Sequence, residues 1–162
     1  MMMAAFDVQR FDWRKIRNIQ KLHRFLYAIG LGPVLGRIIL LLTTTGRRSG
    51  QKHITPLQYE LIDGKYYLGS ARGTRADWYR NIMVDGRVEV HVKNWRFSGL
   101  AEPVTDPIRI ADFLEIRLER HPRMIGLLME KVHGLPSHPS REQIEVLAAS
   151  DAMVVITPKE DL

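Results

Sequence analysis

Apolar and polar positions divide this chain into a helical start, a strand-rich middle and a helical stretch that ends in one more strand. Over 13–29, Ile16, Ile19, Leu22, Leu26 and Ile29 recur at spacings of three and four, the period of an amphipathic helix. Arg14, Arg17, Lys21 and Arg24 occupy another side of it, and Gly30-Leu31-Gly32-Pro33 ends it. Ile38 to Thr45 has the content of a buried strand. A second strand is predicted from Lys52 to Ile62, where Ile54 and Leu57 break the two-residue alternation around Pro56 and predict a bulge or an edge position. Asp63-Gly64 predicts a hairpin turn into Lys65 to Ser70. Arg87 to Lys93 alternates at every position, and Trp95 to Val104 follows with Trp95 and Phe97 on one face, Arg96 and Ser98 on the other.

Helices are predicted through Ala76 to Met83, from Asp106-Pro107 to about Arg120, and near Arg123 to Val132. Ser140-Arg141-Glu142-Gln143 has capping-box spacing for another, and Ala152 to Thr157 reads as a closing strand. The sum is a mainly β chain with flanking helices (α+β), about six mostly antiparallel strands in one domain over 1–162, with 13–30 as an N-terminal amphipathic helix. Such strands close most easily into a small barrel, which removes exposed edges.

Composition narrows the chemistry. The chain has no Cys, which excludes disulfides, thiol nucleophiles and cysteine zinc sites and agrees with a reducing cytoplasm, the expected location. Its six histidines match no compact ligand spacing, so no metal site is predicted. Residues 1–100 hold 17 Lys and Arg against 7 Asp and Glu, a net +10, whereas 101–162 hold 7 against 11, a net −4. The basic part implies an anionic partner. Its charge gathers in two turns and a helix without interleaved exposed aromatics, the usual stacking platform, which argues against nucleic acid. The most apolar stretch, Ile38 to Leu42, is far short of the ~20 residues that span a bilayer, although the basic side of the first helix suits peripheral contact with an anionic membrane.

The most informative stretch is Leu42-Thr43-Thr44-Thr45-Gly46-Arg47-Arg48-Ser49-Gly50, between two strands. Glycines let the backbone reverse, and Arg and Ser supply donors suited to phosphate or carboxylate oxygens. The same residues also make an ordinary polar hairpin turn. Ser70-Ala71-Arg72-Gly73-Thr74-Arg75 is a second basic loop. Trp78 reads as core or as pocket wall, and Asp77 and Tyr79, two apart on a short helix, do not share a face as an acid–base pair would. Met124, Leu127, Leu128 and Met129 read as helical core packing.

In order and spacing, the first stretch, then Pro56-Leu57, Ser70-Ala71-Arg72-Gly73 and Trp78-Tyr79-Arg80-Asn81-Ile82, resemble the deazaflavin-dependent nitroreductase family, roughly over Leu31 to Val104. The resemblance implies a split β-barrel akin to FMN-binding oxidoreductases. It also implies the deazaflavin coenzyme F420, whose tail carries a phosphodiester and glutamates, and hydride transfer to a quinone, nitro compound or similar small electrophile. Arg47, Arg48, Ser49 and Gly50 would hold the tail, with His53 nearby and Ser70, Ala71 and Arg72 on the phosphate side. Pro56, Leu57 and Gln58 would line the ring, with Trp78 and Asn81 shaping the pocket. The family usually has arginine where His53 stands, a second glycine where Thr74 stands, and often Asn-Pro where this chain has Arg75-Ala76-Asp77. No catalytic proton donor is nominated, since the cofactor performs the hydride transfer. Split barrels of related families often pair, so the resemblance also makes a homodimer one of the expected partnerships. FMN in the same barrel is the alternative cofactor, and a non-enzymatic cofactor carrier or a basic nucleic-acid-binding barrel are the alternative functions.

Overall fold

A computed structural model of the chain describes residues 39–70 and 72–160. The predicted helix at 13–30 and Ala71 lie outside the described residues. The strands are β1 (Ile39–Thr45), β2 (Lys52–Gln58), β3 (Glu60–Ile62), β4 (Lys65–Ser70), β5 (Arg87–Val92), β6 (Trp95–Val104) and β7 (Ala152–Pro158). Helix α1 (Asp77–Val84) follows a short 3₁₀ turn at Gly73–Arg75, and α2 (Pro107–Arg120), α3 (Pro122–His133) and α4 (Arg141–Ala148) lie between β6 and β7.

The strands form one antiparallel sheet in the order β2-β1-β5-β6-β7-β4-β3. Its two edge strands, β2 and β3, are consecutive in the chain and joined by Tyr59 alone. One residue cannot bridge the width of a flat seven-stranded sheet, so the sheet must curl until its edges meet. The single strand predicted from Lys52 to Ile62 is therefore two, bent at Tyr59. The bulge expected around Pro56 is absent: β1 and β2 pair without a skipped residue from Ile39↔Gln58 to Thr45↔Lys52, with Pro56 opposite Leu41. The edge position holds, and an edge strand tolerates a residue with no amide proton to donate.

Local signals account for the remaining joints. Asp63 (φ 50°) and Gly64 (φ 77°) both take left-handed backbone, the requirement of the two-residue turn that suits a twisted hairpin. Asp106 accepts a hydrogen bond from the Ile108 amide at 2.9 Å with Pro107 following it. Ser140 and Gln143 form the reciprocal capping box.

Two cores share the sheet. Leu40, Leu42, Leu68, Val88, Val90, Ala101, Val154 and Ile156 fill the barrel, and Ala76, Tyr79 and Ile82 close one end of it with α1. At the other end Tyr59, Tyr66 and Phe97 form a row with ring centroids 5.5 and 5.2 Å apart. Outside, Ile110, Phe113, Leu114, Ile125, Met129, Ile144 and Ala148 of α2 to α4 pack on Val104, Met153 and Val155. Strand β7 thus sends alternate side chains into both cores, and Ala152 to Ile156 are all buried. Arg141 ties α4 to α2 through Asp112 and Glu115, both at 2.9 Å.

An ionic cluster holds α2 against the bend. Glu60, buried at the start of β3, lies 2.9 Å from His121 Nε2, 3.1 Å from Arg120 Nη1 and 3.9 Å from Arg117 Nε. Arg117 also donates to Gln58 Oε1 at 3.1 Å, on the other side of Tyr59. Burial lowers the Arg117 pKa, opposed by Glu60 and Asp151. Among the described residues, no helix is long and apolar enough to cross a membrane.

Two outcomes follow from this packing. Glu60→Ala leaves the Arg117 guanidinium enclosed without its carboxylate and is expected to cost about 3 kcal/mol in urea denaturation. Burial raises the Asp151 carboxyl above its ordinary 3.8, against the pull of Arg117 and a hydrogen bond from the Ala152 amide. Stability linked to that group is full below pH 3.8 and is lost as pH rises through the folded-state value. Asp151→Asn is therefore expected to raise the urea midpoint at pH 7 and to leave it nearly unchanged at pH 3.

Candidate cofactor-binding site

The β1–β2 connection is built around Gly46. Its amide donates to the Gln51 carbonyl at 2.7 Å and its carbonyl accepts from the Gly50 amide at 2.8 Å, closing the turn. Gly50 has φ 69°, the left-handed region that favours glycine. A Cβ on Gly46 would stand 2.7 Å from Ser49 Oγ and 2.8 Å from His53 Nε2. The absence of a side chain there is what lets Ser49 and His53 converge on one side of the turn. Ser49 Oγ accepts from the Gln51 amide at 3.2 Å, which leaves its hydroxyl proton available.

Asn81 is the polar hub beneath this turn. It is buried on α1, and its Oδ1 accepts both the Arg47 amide at 3.2 Å and Arg47 Nη1 at 3.0 Å. Its Nδ2 donates to Thr44 Oγ1 at 3.3 Å, and Thr44 is itself fully buried on β1. Arg47 Nη2 reaches Asp77 Oδ1 at 3.1 Å in the first turn of α1. Arg47 is thus clamped against α1, its side chain 19% exposed, while Arg48 projects outward and pairs with no described residue.

The second loop reaches the same end of the barrel. Ser70 is buried, and its hydroxyl donates to the Gly73 carbonyl at 2.6 Å, bracing the turn into α1. Gly73 takes φ 57°. Arg72, Arg75 and Arg80 are exposed, and Arg80 Nε donates to the Thr74 carbonyl at 3.3 Å. Five arginines, 47, 48, 72, 75 and 80, therefore lie on two loops and α1, with the carboxylate of Asp77 on the first turn of that helix. Such a donor set fits a multiply charged anionic group.

The other site candidates lie along β2. From His53 to Gln58 an extended chain covers about 17 Å, so the turn and the segment Pro56-Leu57-Gln58 mark two ends of one strand. Leu57 packs into the barrel core, while Gln58, of opposite parity, points outward to Arg117. Trp78 is half-buried, packed against the barrel core and edge-on to Tyr79 at 6.1 Å. Tyr79 is 1% exposed and burial raises its pKa, so it is a core residue with no acid–base partnership with exposed Asp77. Thr44 and Asp77, the partners of Asn81 and Arg47, were not predicted as part of the site. Thr44 lies in a run of three threonines whose members only strand parity tells apart, and Asp77 reads in sequence as a routine first-turn acid.

A barrel closed across one bent strand, with an outer helical layer and arginine loops at one end, places the chain in the split-barrel class. Solved structures with this topology include an F420H2-dependent reductase, FDR-A, at a TM-score of 0.50 and 20% identity, covering 74% of this chain and 94% of that one. Another is a Listeria innocua protein named for pyridoxamine 5′-phosphate oxidase, at a TM-score of 0.52 and 14% identity, covering 86% and 94%. A family model described as F420H2-dependent quinone reductase matches residues 16–123, and the chain belongs to that family. The F420H2-dependent quinone reductase of Mycobacterium tuberculosis is 30% identical over 107 residues, covering 60% of this chain and 72% of that protein, and a Mycobacterium bovis relative gives the same figures. The family is one of oxidoreductases that use reduced F420 with quinone-type acceptors, in agreement with the resemblance carried by the sequence motifs.

Gly46→Ala is expected to displace Ser49 and His53, since neither contact below 3 Å can persist. Both are side-chain ends, so the backbone turn should hold: hydrogen-exchange protection should fall at the Gln51 amide, which donates to Ser49 Oγ, and stay unchanged at the Gly50 amide.

Proposed function

We propose that this chain reduces a quinone-type acceptor with reduced F420, holding the anionic tail of the coenzyme at the arginine-rich barrel end and the ring system farther along β2. The observation that carries the assignment is that both basic loops are fastened at α1, the first through the Arg47–Asn81–Thr44 hydrogen bonds and the second through Arg80 on the Thr74 carbonyl. Arg48 and Ser49 supply outward donors, Gly50 shapes the turn, and His53 stands beside it. Arg72 contributes charge from the second loop, whose turn Ser70 braces. Ala71, outside the described residues, belongs to that loop by sequence.

The bound deazaflavin supplies the hydride. The protein's part is orientation: Pro56 and Gln58 present side chains on the outer face of β2, whereas Leu57, committed to the core, can line the ring only through its backbone. Trp78 gives an apolar wall next to the tail loops. Hydride transfer to a quinone leaves one proton to be added to an oxygen of the acceptor, and no side chain is assigned to deliver it.

A fluorescence titration with F420, FMN and FAD, followed by menadione added to the reduced complex, tests the assignment. F420 should bind most tightly and turn over; tighter FMN binding would overturn the cofactor assignment. Arg48→Ala should weaken F420 binding by about 1–3 kcal/mol without changing the melting temperature, because its exposed side chain makes no hydrogen bond or ion pair among the described residues.

A further inference from the structure

We infer that Asp77 is a built-in competitor for the anionic ligand, and that it lowers the affinity of the tail site by occupying Arg47. The inference rests on the tail site proposed above. Arg47 has two distinct partners. Its Nη1 and backbone amide share the buried Oδ1 of Asn81, a contact fixed by the core, since Asn81 also donates to buried Thr44. Its Nη2 is held at 3.1 Å by Asp77 Oδ1, a carboxylate that is 79% exposed. The first contact sets the position of the guanidinium, and the second fills its outward donor with an oxygen chemically equivalent to that of a ligand carboxylate or phosphate.

Exposure makes the second contact exchangeable. An ion pair with one partner in solvent contributes at most about 1 kcal/mol, so a ligand oxygen can take its place at Nη2 while Nη1 stays on Asn81. Even when displaced, the Asp77 carboxylate stays on the first turn of α1, among Arg47, Arg72, Arg75 and Arg80, where it repels a polyanionic tail. Both effects weaken binding. A purely structural Asp77 has a different signature: a first-turn acid stabilises its helix through the macrodipole, and its removal would lower stability without tightening an anionic ligand.

The test compares wild-type protein, Asp77→Asn and Asp77→Glu by fluorescence titration with F420 and with the deazaflavin riboside that lacks the phosphodiester and glutamates. Asp77→Asn is expected to bind F420 about two- to fivefold more tightly at low salt, the range of an exposed ion pair, with the gain vanishing near ~1 M salt. The riboside should show no gain, and Asp77→Glu should stay near wild type. Unchanged or weaker F420 binding by Asp77→Asn, or an equal gain with the riboside, would overturn the inference. If neither wild type nor Asp77→Asn binds F420 more tightly than the riboside, the tail-site reading itself is wrong. Arg47→Gln in the Asp77→Asn background provides the second check: the gain should be lost with the guanidinium, and a gain that survives would show that Asp77 acts elsewhere.

Discussion

Everything in this fold depends on one constraint of chain length: Tyr59 alone connects the two strands that lie at opposite edges of the sheet. A flat sheet cannot satisfy that link, so the sheet curls, the edges meet at the bend, and the exposed amide and carbonyl rows that invite aggregation are brought together. Curling also creates an inside and an outside. The inside fills with Leu40, Leu42, Leu68, Val90, Val154 and Ile156, and the outside needs a cover, which α2, α3 and α4 provide. Strand β7 carries both demands at once, which explains its unbroken burial from Ala152 to Ile156. The ionic cluster around Glu60 lies beside the bend for the same reason. Arg117 contacts Gln58 on one side of Tyr59 and Glu60 on the other, so α2 is fastened where the strand changes direction.

The same closure assembles the site. Curling carries the turn after β1 and the loop after β4 to one end of the barrel, and α1, which caps that end with Tyr79 and Ile82, lies between them. Asn81 then joins a core position to a surface function: its side chain, buried with Thr44, fixes both the backbone and the guanidinium of Arg47. A long flexible arginine would lose much rotamer freedom on binding an anion, and part of that loss is already incurred in folding. Arg48 has no such support and contributes charge and reach. The two adjacent arginines, indistinguishable by type, thus differ in mechanical role.

The elements legible in the sequence are those set by local physics. Asp63-Gly64 required a turn with left-handed backbone, Asp106-Pro107 and Ser140 to Gln143 fixed helix starts, and the strict alternation of Arg87 to Lys93 could only be a half-buried strand. The barrel class, the family and the two basic loops were also readable, because turn chemistry and motif order are properties of short segments. The bend was not. The pattern around Pro56 pointed to an irregularity in the right strand, but the break falls at Tyr59, where the sheet runs out of neighbours on one edge and begins again on the other.

Partnerships lay beyond the sequence for the same reason. Which of Thr43, Thr44 and Thr45 meets Asn81 depends on strand parity and on where α1 lands, and the pairing of Arg47 with Asp77 spans thirty positions that only the folded barrel brings together. Strand alternation sends Leu57 inward and Gln58 out to Arg117, a residue fifty-nine positions away, a separation that no local pattern reveals. The sequence by itself determined turns, caps, periodicities and the residue types that can hold an anion, since each is decided by neighbours a few residues away. Tertiary structure alone decided which of those residues are clamped and which are exposed, because that depends on the closure of the sheet and the placement of α1 and α2 against it.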